Sequence, residues 1–402
     1  MEQNKAKAYL RHLGLFLITL LTTTMAGAEW VSGASLFFGP EFFKWEDFYA
    51  GFSYSIPFLF ILTVHEFGHY FTAMYYKVKA TLPYYIPMYF PGLLAIGTLG
   101  AVIRLKSKIQ STKVNFDIGI AGPLAGFVAA IAILFYGFTN LPEPEHIYDI
   151  HPEYTYFGLD YAEYVYDVDT VFAKAELDQQ LEGIEHLPDT IRMGPSYFPN
   201  LQLGSNLLFV FFEEYVVQDK SRLPNHHEMI HYPYLLAGFL ALFFTALNLL
   251  PIGQLDGGHV VYGLFGSKGH KIVASIVFIG FIYYAGIGLV SPAYTFDQLL
   301  WIVPCYVAYL YMVLRGFGRS QIDTLMFAVI ICTSQFLLGY WLPDLKGYYG
   351  WLLFGLIISR FLGIYHPKTV EEKPLDMKRK ILGWLALIIL ILSFSPTPIV
   401  IG

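Results

Sequence analysis

Residues 50–76 read AGFSYSIPFLFILTVHEFGHYFTAMYY, an apolar stretch long enough to cross a bilayer as one helix. Near its end stand three ionisable side chains, His65, Glu66 and His69. Residues four apart on a helix share one face, about 6 Å apart along the axis, so both imidazoles can bind one Zn²⁺ while Glu66 faces a metal-bound water. Ionisable residues inside a membrane span are costly. The spacing therefore favours a metal site over two hydrogen-bonding histidines beside a stray acid.

The composition of the whole chain is that of a membrane protein. Of 402 residues, 55% are hydrophobic and 14% are charged, whereas soluble domains carry roughly 25% charged residues. With a formal net charge of −6, these values exclude a disordered chain, a collagen-like repeat and a basic protein that binds nucleic acid. Cys305 and Cys332 both lie in apolar stretches and indicate packing rather than a disulfide framework.

Apolar runs of about 20 residues predict an all-α polytopic membrane protein of about eight or nine transmembrane helices. The candidate spans are 8–28, 50–76, 114–139, 232–252, 270–291, 298–314, 322–342, 348–364 and 380–400. The first span has an alternative interpretation. It follows basic residues and ends in Ala26-Gly27-Ala28, a pattern also typical of a cleaved signal peptide.

Two segments differ from the helical spans. Residues 140–231 contain 17 acidic and four basic side chains, which predicts a small extracytoplasmic α+β insertion, with the basic loops on the cytoplasmic side. Residues 78–104 are apolar but are broken by proline and glycine. They predict a short membrane-associated β-hairpin or re-entrant strand packed against the helices.

A second motif completes the predicted metal site. Residues 248–259 read NLLPIGQLDGGH, and the proline and glycines should break the helix where it lines a protein-filled cavity. A catalytic zinc site has three protein ligands, so we expect Asp256 to be the third ligand, delivered from a loop. Asn248 is an uncharged donor for a peptide or its oxyanion. Loop charges place both motifs near the cytoplasmic ends of their helices.

The predicted spans, the acidic insertion and the two motifs divide the chain into five predicted parts. They are an N-terminal span and exterior loop (1–49), a first catalytic part (50–139), the acidic insertion (140–231), a second catalytic part (232–266) and the C-terminal transmembrane helices (267–402).

The HExxH motif followed by N-x-x-P and L-x-D-G resembles the pattern of the site-2 proteases, which are intramembrane zinc metallopeptidases. The similarity continues through Gly97–Val102 and 121–126, and it is greatest to the ethylene-dependent gravitropism-deficient (EGY) branch and its bacterial relatives. The resemblance implies one Zn²⁺ per chain on His65, His69 and Asp256, Glu66 as general base, and Asn248 as a positioning residue. It also implies an edge strand that pairs with an unwound substrate, formed by Gly97, Thr98, Leu99, Gly100, Ala101, Val102 and Ile103.

The resemblance implies regulated intramembrane proteolysis of transmembrane protein substrates within the lipid bilayer, and a bacterial cytoplasmic membrane as the location. Two other classes of function remain open at this point. One is a catalytically degenerate chaperone or interaction protein, and the other is a transporter whose buried His and Asp side chains bind an ion. Residues 97–104 also have a simpler interpretation, as a purely structural hairpin.

Several smaller features have predominantly structural interpretations. His259 is expected to be a packing or loop histidine, with a donor role near the metal as the alternative. His226, His227 and His231 are expected on a solvated polar face, with a second metal site as the alternative. Gly122 and Gly126 form a GxxxG pattern that predicts close helix packing. No PDZ-like carboxylate-binding loop is recognisable in 140–231.

Overall fold

Long apolar helices dominate the computed structural model, which describes residues 2–37, 44–91, 95–107, 109, 111–166 and 201–401. The α-helices are α1 (Glu2–Ser32), α2 (Trp45–Ala50), α3 (Phe52–Tyr75), α4 (Thr112–Thr139), α5 (Ile147–Ile150), α6 (Tyr161–Val165), α7 (Leu207–Phe211), α8 (Pro233–Leu249), α9 (Asp256–Ala285), α10 (Phe296–Leu314), α11 (Gln321–Trp341), α12 (Gly350–Ile357) and α13 (Met377–Ser393). The strands are β1 (Tyr84–Pro87), β2 (Thr98–Val102), β3 (Leu201–Leu203) and β4 (Ile399–Ile401). Helices suit such a chain because they satisfy their own backbone hydrogen bonds in a bilayer.

Six helical stretches in the described ranges are long and apolar enough to cross a membrane. They are Ala6–Ser32, Trp45–Tyr75, Thr112–Thr139, Asp256–Ala285, Phe296–Phe317 and Gln321–Trp341. The other three predicted spans correspond to shorter helices, since α8 and α13 have 17 residues each and α12 has eight before a π-helical turn at Ile358–Leu362. The predicted multi-pass helical architecture is confirmed, with six stretches of full length rather than nine.

Two predicted spans have wrong boundaries. The span predicted at 270–291 is the second half of α9, which begins at Asp256 and is kinked at Gly266, where φ is 68° and ψ is −177°. The span predicted at 380–400 ends early, because Pro396 and Pro398 cannot continue a helix. The β-branched residues after them form β4, which pairs antiparallel with β3.

Glycines on α4 let this helix pack closely against the HEFGH face of α3. A Cβ atom on Gly122 would lie 2.1 Å from His69 Nε2, and one on Gly126 would lie 3.0 Å from His65 Cβ. Gly68 on α3 likewise approaches the carbonyl oxygen of Ala121. The predicted close packing of the GxxxG pattern is therefore confirmed, and its partner is the histidine-bearing face of α3.

The predicted β-hairpin near residues 78–104 is present. Strands β1 and β2 pair antiparallel, with Tyr85 opposite Ala101, and they form a two-stranded sheet among the described residues. The hairpin is anchored to the helices, since Thr63 on α3 hydrogen-bonds the Tyr85 hydroxyl at 2.8 Å and Thr22 on α1 donates to the Gly97 carbonyl at 2.7 Å. These anchors fix β2 beside the end of α3 that carries the histidines.

The acidic insertion is described for residues 140–166 and 201–231. Short helices and 3₁₀ turns surround a small core of Ile147, Tyr154 and Tyr161. Strand β3 ties the insertion to β4 near the end of the chain. The remaining predicted part, residues 167–200, lies outside the described residues.

Candidate metal centre and catalytic cavity

Helix α3 places the two HEFGH histidines on one buried face. His65 and His69 are 6% and 7% exposed, and their Nε2 atoms lie 3.1 Å apart. Glu66 is 5% exposed and lies on the same cavity wall. The i, i+4 spacing thus produces the convergence that the sequence predicts.

Asp256 reaches the histidines from the break between α8 and α9. Helix α8 ends at Leu249 before Pro251, and Gly253 in the connection has a φ of 58°, which favours glycine. The Asp256 carboxylate lies 3.5 Å from His65 Nε2 and 3.3 Å from His69 Nε2. The predicted convergence is therefore present, although Asp256 is the first residue of α9 rather than a loop residue.

The orientation of His69 fits a bound cation. Its Nδ1 lies 2.7 Å from the Ile118 carbonyl oxygen, and because a carbonyl only accepts hydrogen bonds, Nδ1 carries the proton. In a neutral ring the Nε2 lone pair then faces the Asp256 carboxylate 3.3 Å away, so a cation between them would be bound by both groups. The three ligand-atom separations, 3.1 to 3.5 Å, match the roughly 3.3 Å between ligands of a tetrahedral zinc with bonds of about 2.0–2.1 Å.

A cavity of about 250 Å³ surrounds this cluster. Its walls come from α3, from the end of β2, from Ile118 and Gly119 on α4, from Asn248 near the end of α8, and from the α8–α9 break. The backbone of Ile103 lies within hydrogen-bonding reach of the Glu66 carboxyl group. The end of the hairpin strand therefore lies next to the acid of the HEFGH motif.

The predicted strand residues fall into two groups. Ala101, Val102 and Ile103 line the cavity. The other four, Gly97, Thr98, Leu99 and Gly100, are not among the cavity-lining residues. Thr98 donates to the Ile86 carbonyl at 2.8 Å within the hairpin, whereas Leu99 is exposed.

Sequence reasoning missed two polar residues behind the cavity, Asn115 and His366. His259 lines the cavity without joining the three converging ligands. Its Nδ1 lies 2.8 Å from His366 Nε2, and the Asn115 amide nitrogen lies 3.0 Å from His259 Nδ1 and 3.2 Å from His366 Nε2. Burial lowers the pKa of His366 from its ordinary value, which favours the neutral ring with one acceptor nitrogen. An amide in an apolar helix was a usable signal for Asn115, whereas His366 lies far along the chain and had none.

The three histidines predicted on a solvated face have different environments. His226 approaches Glu213 at 3.7 Å, and His227 stacks on Tyr166. His231 is buried, which contradicts the predicted solvated position. It lies beside His151 and Glu228, and their ligand atoms are within 4.8 Å of one another.

Comparison with known proteins points in the same direction as the geometry. The sequence profile described as peptidase family M50 matches residues 53–290, a range that includes His65, Glu66, His69, Asn248 and Asp256 but not His366. The probable zinc metalloprotease EGY1, chloroplastic, of Arabidopsis thaliana is 27% identical over 229 residues, which are 57% of this chain and 31% of that protein. The protein of the same name from Oryza sativa subsp. japonica is 27% identical over 209 residues, 50% of this chain and 26% of that protein.

The aligned regions cover only part of each relative's length. The probable zinc metalloprotease EGY2, chloroplastic, of Oryza sativa subsp. indica is 23% identical over 216 residues, which are 54% of this chain and 30% of that protein. The chain thus spans only about a third of the length of these relatives or less. No solved structure matches the chain.

Proposed function

Because the chain belongs to peptidase family M50, we propose that it is an intramembrane zinc metalloendopeptidase of the site-2 protease type. It hydrolyses peptide bonds within or near transmembrane segments of other membrane proteins, in regulated intramembrane proteolysis. The observation that carries this proposal is the convergence of His65, His69 and Asp256 beside Glu66 in one buried cavity. A structural or ion-transporting role does not require a carboxylate next to such a ligand set.

The three proposed ligands and Glu66 have distinct roles in this proposal. His65, His69 and Asp256 hold one Zn²⁺, and Glu66 remains outside the ligand set as the general base. Zinc supplies Lewis acidity that lets a water molecule lose a proton near neutral pH. Glu66 takes this proton as the water oxygen bonds the peptide carbon, and then delivers it to the amine nitrogen as the C–N bond breaks.

Asn248 stabilises the charge that develops on the peptide oxygen. Its side chain lines the same cavity as Glu66, and an amide N–H is a donor that adds no charge to the ligand set. A donor aimed at the developing oxyanion typically lowers the barrier by about 3–4 kcal/mol. Asn248 therefore acts as a hydrogen-bond donor to the substrate, and it takes no part in proton transfer.

The stretch Gly97–Ile103 holds the substrate in an extended conformation. A transmembrane helix hides its carbonyl groups in internal hydrogen bonds, so the segment to be cut must unwind. Strand β2 bonds β1 along one edge, and an incoming chain can pair with the other edge by β-augmentation. The proximity of Ile103 to the Glu66 carboxyl group supports this role. Segments with weak helix formers such as glycine and proline are then the preferred substrates.

The membrane arrangement that we propose has eight or nine transmembrane helices. The six long stretches are supplemented by α8, α12 with its π-helical turn, and α13. The basic loops face the cytoplasm and the insertion faces the opposite side. The proposed parts are 1–49, 50–139, 140–231, 232–266 and 267–402. We propose the bacterial cytoplasmic membrane as the location; targeting of a tagged protein to plastids would contradict it.

The proposal is tested with the purified protein in liposomes that contain a single-span substrate with a Gly-Pro pair. Glu66→Gln should abolish cleavage by several orders of magnitude and retain the metal, because it removes only the proton acceptor. Glu145→Gln makes the same chemical change at an exposed position and should cleave normally. Undiminished cleavage by Glu66→Gln would refute the proposed mechanism.

A further inference from the structure

The insertion contains a second buried cluster with the ligand chemistry of a metal site. His151 follows α5, Glu228 precedes a 3₁₀ turn at Met229–His231, and His231 is the last residue of that turn. In a 3₁₀ turn, side chains three residues apart lie on the same side. The local structure therefore presents Glu228 and His231 together, facing His151.

We propose that His151, Glu228 and His231 bind a second divalent transition-metal ion, with Zn²⁺ as the best fit to the donor set. The two Nε2 atoms lie 3.3 Å apart, and Glu228 Oε2 lies 3.7 Å from His151 Nε2 and 3.5 Å from His231 Nε2. These separations are close to the roughly 3.3 Å between ligands of a tetrahedral zinc. Two imidazoles and one carboxylate are ligands that zinc accepts readily.

The hydrogen bonds around the cluster orient its ligand atoms inward. His231 Nδ1 lies 2.5 Å from the Trp30 carbonyl oxygen, so Nδ1 carries the proton and Nε2 presents a lone pair. The Tyr166 hydroxyl donates to Glu228 Oε1, which leaves Oε2 toward the histidines. Second partners of this kind hold metal-binding histidines and carboxylates in place. His69 and Ile118 show the same pattern at the first site.

The buried ligand atoms of the cluster favour a cation at this position. The exposed fractions are 1% for the Glu228 side chain, 6% for His231 and 22% for His151. A lone pair on His231 Nε2 and a carboxylate oxygen at 3.5 Å repel each other in a medium of low dielectric constant, and a cation between them reverses the sign of this interaction. His151 is the most exposed of the three, so it marks the entry side.

The position of the cluster indicates a structural tie rather than a second catalytic centre. His231 lies two residues before the start of α8 at Pro233, whereas Asn248 lies at the other end of that helix, about 25 Å away at 1.5 Å per residue. The metal would connect the end of α5, the start of α8 and, through His231, the end of α1. It would thereby fasten the insertion to the membrane helices.

The metal content of the full-length protein, purified in detergent and equilibrated with Zn²⁺ before desalting, tests this proposal. Wild type should hold two zinc ions per chain, and His151→Ala and Glu228→Gln should each hold one. Asp256→Asn should also hold one, and Asp256→Asn with His151→Ala should hold none. His146→Ala, which alters a histidine paired with Asp149 in the same insertion, should retain two.

A second measurement distinguishes a structural metal ion that stabilises the insertion from loosely bound metal. In the Asp256→Asn background, added Zn²⁺ should protect the insertion from limited proteolysis, and His151→Ala should remove this protection. One zinc per chain in wild type, or unchanged metal content in both His151→Ala and Glu228→Gln, would overturn the second site without affecting the proposed peptidase. Two zinc ions without any protection would overturn its structural role.

Discussion

Gly122 is the position at which the smallest possible side chain should destroy the metal centre. A Cβ atom there would lie 2.1 Å from His69 Nε2, 2.4 Å from Cδ2 and 2.5 Å from Cε1. Comfortable carbon contacts begin at about 3.5 Å, so in Gly122→Ala the imidazole or the whole of α4 must move by about 1.4 Å. Movement of the imidazole separates a predicted ligand from Asp256, and movement of α4 withdraws the Ile118 carbonyl that orients His69.

The expected loss can be estimated from this displacement. Misplacement of a reacting group by about 1 Å typically costs about 100-fold in rate, and loss of a ligand's supporting contacts typically costs 10–100-fold in metal affinity. Gly122→Ala should therefore cleave a single-span substrate at least about 100-fold more slowly and should lose one zinc per chain. The assay compares initial cleavage rates in liposomes with metal content on the same preparation.

Unfolding of α4 would not explain a loss of activity and zinc in Gly122→Ala. Alanine is a better helix former than glycine by about 1 kcal/mol, so the change itself favours α4. Gly280→Ala on α9 is a matched control, because a Cβ there meets no atom within 4 Å, and it should be fully active. Wild-type rate and zinc content in Gly122→Ala would refute the close approach of α4 to His69.

Three further results are expected. Ala101→Pro removes a backbone N–H from β2 and should lower cleavage strongly while the zinc content is unchanged, whereas Ala101→Ser should cleave normally; full activity in a folded proline variant would exclude the strand from substrate binding. Asp256→Asn should release one zinc per chain and abolish cleavage, because the amide contributes no charge to the ligand set; retained metal would show that Asp256 is no ligand. Arg379→Ala should lower the apparent melting temperature in detergent by about 1 °C, corresponding to about 1 kcal/mol, because Arg379 binds Asp117 at 2.7 Å and contacts Tyr76 at 3.3 Å; no shift would show that solvent screening cancels the pair.

The sequence was sufficient for the class of protein and for its family. Apolar runs predicted a multi-pass helical protein, and two motifs predicted the resemblance to EGY-like site-2 proteases, which the matches to peptidase family M50 and to the EGY proteins confirm. Both inferences depend on local patterns. A run of about 20 apolar residues and a spacing of four on a helix have the same meaning whatever the rest of the chain does.

The boundaries of helices were predicted less well where contacts with distant residues override local propensity. Residues 399–401 continue an apolar run, yet they pair with β3, about 200 positions earlier in the sequence. Asp256 precedes two glycines, yet it begins a helix whose first turn packs against the end of α8. A hydropathy profile cannot identify these contact partners, because the tertiary arrangement determines them.

By itself, the sequence determined that two histidines share one helical face and that a glutamate lies between them, since helix geometry alone requires this. Only the tertiary structure decided that Asp256 faces them, that the Ile118 carbonyl orients His69 and that Ile103 approaches Glu66. It also decided that His231 is buried with His151 and Glu228 instead of lying on a solvated face with His226 and His227. The reason is that ligand convergence depends on which helices and turns pack together, and packing joins residues 80 to 190 positions apart through contacts that no local pattern encodes.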